Sequence, residues 1–203
     1  MKKLKELLFS GTSRDTLISL VGLAGTAGIG FIYTVILARY LEPASFGVYS
    51  SITALASIVY SVGDFGFTSA IINFLPKLKD RKQIVINTGI TFQLIVGLLL
   101  FLLFSIASQF SNQIIPGSIQ YHLILAGVLT FNYLLFNLLQ SIFNAERRFW
   151  RISIGQIIDS GVKIAIVFIL LATSQLSIST AIVANIFSSA LAILITSFSH
   201  LIG

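Results

Sequence analysis

The chain has 203 residues, of which 56% are hydrophobic and 10% charged, with a formal net charge of +6. Soluble proteins carry about 25% charged residues, so a water-facing globule of this make-up would lack a polar surface, whereas apolar runs able to cross about 30 Å of hydrocarbon recur along the whole sequence. The basic excess falls in short clusters between those runs, where it reads as a topology signal and not as a nucleic-acid surface; the absence of cysteine excludes disulfides, thiol nucleophiles and thiolate metal sites.

Residues 1–14 open with MKKLKELLFS and are closed by Arg14 before Asp15. They read as an interfacial amphipathic segment leading into a retained span, not as a cleaved signal. Residues 15–203 then form a six-helix transmembrane lobe, with spans at 16–39, 46–76, 83–108, 119–145, 152–174 and 178–200. Lys2, Lys3, Lys5 and Arg14 precede the first span and only Arg39 follows it. Lys77, Lys79, Arg81 and Lys82 follow the second span, and Arg147, Arg148 and Arg151 follow the fourth. This alternation places both termini and the two basic loops in the cytoplasm of a cell membrane. Pro43, Pro76 and Pro116-Gly117 punctuate the connections. The expected fold class is an all-α, polytopic membrane protein with N-in and C-in termini, because the short alternating strands of a β-barrel are missing.

The first span carries the glycine-rich run VGLAGTAGIGF, Val21 to Phe31. Nucleotide-binding glycine loops sit between a strand and a helix. Here Gly22, Thr26 and Gly30 follow instead a small-xxx-small spacing that lets helices approach closely.

Ionisable groups inside a span are costly, at about 2.5–3.5 kcal/mol on insertion scales, and each needs a reason. Asp64, Asp159 and Lys163 are the three such residues. Ser50, Thr53, Ser57, Ser61, Asp64 and Thr68 recur at spacings of three and four and share one helix face. Thr130, Tyr133, Asn137, Gln140 and Asn144 repeat the pattern in the fourth span, and Gln156, Asp159 and Lys163 in the fifth. Three such stripes imply a shared polar interior, although polar faces also serve as glue between helices. Asp159 and Lys163, an acid four residues before a base, also read as a local ion pair. The string Asp64-Phe65-Gly66 matches the DFG of kinases in letters only, since that motif works on a soluble bilobal fold. His122 and His200 are the only histidines, which leaves no metal cluster or Ser-His-Asp set to assemble. Neither an enzyme nor a resident cofactor is expected.

The runs LARYLEPASFGVYSSITAL (Leu37 to Leu55), DFGFTSAIINFLPK (Asp64 to Lys77) and LLQSIFNAERRFWRISIGQIIDSGVKI (Leu138 to Ile164) resemble the polysaccharide-export flippases of the multidrug/oligosaccharidyl-lipid/polysaccharide superfamily. Glu42 stands where that family usually has glycine. Its members have twelve or more helices in two lobes, so this chain resembles an amino-terminal half, expected to be a fragment that lacks its second six-helix lobe. The resemblance implies a flippase that moves a lipid-linked oligosaccharide between leaflets by alternating access, with membrane lipids as its surroundings and no nucleic acid as partner. On that reading Lys163, and Arg39 at the outer mouth, attract phosphate oxygens. Asp64 pairs with Lys163 in one conformation or takes up a coupling proton or sodium ion. Asp159, Asn137 and Gln156 line the cavity. Two alternatives carry equal fold content: a cation-coupled drug or metabolite exporter of the same superfamily, and a non-transporting truncated remnant.

Overall fold

A computed structural model describes residues 11–78 and 81–202. Of the expected interfacial segment at 1–14, residues 1–10 lie outside the described residues, and the remainder already belongs to the first helix. The helices are α1 (Gly11–Tyr40), α2 (Pro43–Gly63), α3 (Phe67–Phe74), α4 (Lys82–Ala107), the single turn α5 (Ser111–Ile114), α6 (Gln120–Ala145), α7 (Phe149–Ala172) and α8 (Ile178–Ile202). A 3₁₀ turn at Leu75–Lys77 follows α3 and another at Ser108–Phe110 follows α4. The protein is all-helical, with no strand among the described residues. Among those residues five helical stretches are long and apolar enough to cross a membrane: Pro43–Gly63, Lys82–Ile114, Gln120–Ala145, Phe149–Ala172 and Ile178–Ser197. The 30 residues of α1 extend about 45 Å at 1.5 Å per residue.

The expected continuous second span at 46–76 is broken in two. Pro43 occupies the first turn of α2, where its missing N–H costs nothing, but the helix stops at Gly63. Phe65 (φ 47°) and Gly66 (φ 74°) then enter the left-handed region. The Phe65 N–H donates to the Val62 carbonyl (3.2 Å) and the Phe67 N–H to the Asp64 carbonyl (2.8 Å), closing a tight turn before α3 starts. Gly66 makes this turn accessible because it has no Cβ to clash at positive φ. The polar spacing runs straight through the turn, which is why periodicity alone suggested one helix.

The α6–α7 connection is set by backbone bonds of a Schellman cap. The Arg148 N–H donates to the Phe143 carbonyl (2.9 Å) and the Arg147 N–H to the Asn144 carbonyl (3.0 Å), with Arg147 at φ 58°. The chain thereby reverses within a few residues, and α7 runs back beside the polar face of α6.

Helix α6 lies at the centre. Leu123 and Leu129 pack with Leu37 of α1, Ile52 of α2 and Ile182 of α8 in one buried cluster. Further along α6, Leu138, Ile142 and Ala145 pack with Ile71 and Leu75 on the α3 side and Ile86 of α4 in a second. A Cβ on Gly22 would sit 2.5 Å from Ser153 Oγ, so α1 and α7 approach there as the small-residue spacing predicts, whereas Gly30 has no neighbour within 4 Å. Leu98, Leu99, Leu102, Leu103 and Ile106 of α4 are exposed, as suits a face that meets lipid.

Candidate functional site: a polar groove between α2, α3, α6, α7 and α8

Members of each of the three polar stripes meet at one groove of about 530 Å³, which Ser50, Thr53, Ser61, Asp64, Thr130 and Lys163 do not line. Ser57 of α2 and Thr68 of α3 form one wall; Tyr133, Asn137, Gln140 and Asn144 of α6 form the floor; Gln156 and Asp159 of α7 form the other wall, joined by Ser189 of α8. Tyr60 and Phe136 add aromatic surface, and the Tyr60 and Tyr133 rings meet edge to face with centroids 5.9 Å apart. Thr130, expected in the α6 stripe, is fully buried, and its hydroxyl donates to the Ala126 carbonyl at 2.8 Å. The same hydroxyl lies 3.4 Å from the Ala56 carbonyl of α2, so Thr130 serves as glue between helices.

Of the candidate residues, Asn137, Gln156 and Asp159 are brought together in the groove. The Asp159 carboxylate accepts from Lys163 Nζ at 3.2 Å and from Ser188 Oγ at 2.7 Å. Lys163 Nζ also lies 5.7 Å from the centroid of the Tyr33 ring, a cation–π distance. The local ion pair expected from the i, i+4 spacing is therefore the arrangement present. Behind it, Asn185 Nδ2 donates to the hydroxyls of Tyr33 (3.0 Å) and Tyr49 (2.7 Å), a buried polar knot that ties α8 to α1 and α2.

Asp64 sits elsewhere, at the broken end of α2. Its carboxylate accepts from Thr68 Oγ1 (2.5 Å), from the Thr68 N–H (3.3 Å) and from Gln93 Nε2 of α4 (3.0 Å). It thus supplies an acceptor to the first turn of α3, where backbone donors have no intrahelical partner, and satisfies that turn inside an apolar surrounding. In this conformation Asp64 meets these neutral donors and Lys163 meets Asp159. Asp64 stands behind the groove wall through Thr68.

Arg39 is exposed and borders a separate cavity with Val35, Ile36, Tyr40, Phe168 and Leu171. That cavity lies at the C-terminal end of α7, away from the basic α6–α7 loop. At the opposite end, Lys82 and Arg148 flank a cavity of about 290 Å³. Both pair with Glu146 there, at 2.6 Å and 3.1 Å.

Two contributions escaped the sequence reading. The α8 residues Asn185, Ser188 and Ser189 were legible as a fourth stripe, since ANIFSSA repeats the spacing of three and four that marked the others. Gln93, fully buried in the most apolar span, had only its solitude as a signal. Among the described residues no group of three His, Cys, Asp or Glu side chains is placed to hold a metal ion.

A sequence profile described as polysaccharide biosynthesis protein matches residues 13–202. No curated protein and no solved structure matches the chain.

Proposed function

The chain belongs to the polysaccharide biosynthesis protein family, its helices make it a multi-pass membrane protein, and we propose that it moves a lipid-linked oligosaccharide across the cell membrane by alternating access. The observation that carries this reading is the groove, in which amides, hydroxyls and aromatic rings line about 530 Å³ within apolar helices. Carboxamides offer both donors and acceptors to sugar hydroxyls, and aromatic faces suit the apolar faces of sugar rings. A groove of this polarity is costly against lipid, which favours a second helical lobe as the partner that closes its open side.

In this proposal α1 is a sixth span, and both termini and the two basic loops face the cytoplasm, following the distribution of Lys and Arg. The phosphate-bearing end of the substrate meets the basic end of the bundle near Lys82 and Arg148, while the glycan occupies the groove. Asp64, at a helix break beside the groove wall, is the candidate for coupling to a proton or sodium ion. Transfer of a fluorescent lipid-linked oligosaccharide between leaflets of reconstituted vesicles tests the reading. Protein-dependent loss of label from the outer leaflet is expected, abolished when Asn137 and Gln156 are both changed to Leu. Transfer at the protein-free rate, with the lipid-linked substrate present and the protein correctly folded, would remove it.

A further inference from the structure

Resting on the reading of the groove as a glycan site, we propose that it selects an uncharged sugar segment, and that Asp159 sets this preference by occupying Lys163, the cation that an acidic sugar would need. The polar lining is neutral amides and hydroxyls with a single anion. Gln140 Oε1 is buried without a hydrogen-bond partner, and a turn of this side chain would present it to a hydroxyl. Asn137 commits one of its two Nδ2 hydrogens to the Tyr133 carbonyl at 2.9 Å, which leaves the other hydrogen and the amide oxygen for a ligand. Asp159, the one residue with a formal charge among those lining the groove, contributes two more acceptor oxygens. Sugar hydroxyls can donate to all of these, whereas a carboxylate only accepts.

The cations lie out of reach. Lys163 does not line the groove; its ammonium is held 3.2 Å from Asp159, with 19% of the side chain exposed, and rests over the Tyr33 ring. Lys82 and Arg148 belong to the separate cavity at the loop end and are engaged by Glu146. A uronic acid entering the groove would bring a second negative charge beside Asp159 with no free cation to pair it, which is disfavoured however many amide and hydroxyl donors it finds. Neutral hexoses and N-acetylated sugars carry no such cost. Changing Asp159 to Asn releases Lys163, one helical turn away on the same face, to pair with a sugar carboxylate. Asn retains an oxygen for Ser188.

The test compares a neutral trisaccharide with a uronic-acid trisaccharide of equal length, titrated by calorimetry onto the full chain in lipid nanodiscs. The neutral probe is expected to bind the native chain at least about tenfold more tightly. In Asp159→Asn the ratio should fall to within about threefold by a gain in acidic-sugar affinity that weakens with salt. In Asp159→Asn/Lys163→Gln, which has no pair to leave half-broken, the preference for the neutral probe should return. Equal binding of the two probes to the native chain, an unchanged ratio in Asp159→Asn, or a narrowed ratio that survives in the double variant would each overturn the inference while leaving the glycan site in place. Binding of neither probe would overturn the glycan site itself, and this inference with it.

Discussion

Asp64 and Asp159 are both carboxylates that belong to polar stripes, yet the fold treats them differently. Asp64 is surrounded by neutral donors, the hydroxyl and N–H of Thr68 and the amide of Gln93, and fastens the turn between α2 and α3. Asp159 faces a groove and is balanced by an ammonium one turn away and a hydroxyl from α8. The difference shows two routes by which a membrane helix tolerates an acid. One spends it on backbone that a helix break has left unpaired, and the other neutralises it locally with a base.

The largest separation of the two sites is expected from Lys163→Gln, which leaves Asp159 without its counter-charge at a cost of about 3 kcal/mol. Thermal unfolding in detergent measures the loss, and pairing the change with Asp159→Asn should recover most of it. Asp64→Leu should cost about 2 kcal/mol, since the fully buried Gln93 amide and the Thr68 hydroxyl lose their acceptor together; a Lys163 substitution added to it should be additive, because the two sites share no partner. Gly66→Ala should cost about 1 kcal/mol through its positive φ, read in the same assay, and should leave binding at the Asp159 groove unchanged. Asp64→Asn is expected to cost less than about 1 kcal/mol, because an amide oxygen caps a helix nearly as well as a carboxylate. A loss as large as that of Asp64→Leu would show that the negative charge, and not the acceptor geometry, holds the break.

Much of the groove was legible in the chain, because Ser57, Thr68, Asn137, Gln140 and Gln156 repeat with helical spacing and helical spacing maps directly onto a face. Convergence of those faces was also a sound expectation, since polar faces avoid lipid. Arg39 could not be placed the same way. It closes α1 near the C-terminal end of α7, and nothing in its neighbours reveals which helix ends beside it. Lys163 was readable as either a ligand-facing cation or half of a local pair, and the choice depended on the rotamers taken against Tyr33 and Asp159. The α8 residues Ser188 and Ser189 carried a usable spacing, but a serine in a membrane helix so often bonds back to its own backbone that the stripe gave little signal.

By itself the sequence determined that the chain is helical and membrane-embedded, where its breaks in apolarity fall, and which faces are polar, because hydropathy and helical period are local properties of the chain. Only the tertiary structure decided that Asp64 caps a broken helix with help from Gln93, 29 residues further on, and that Asp159 spends its charge on Lys163 at the edge of the groove. Those outcomes depend on which side chains meet across helices, and on a turn at Phe65 and Gly66 that changes the direction of a face without disturbing the spacing that marks it.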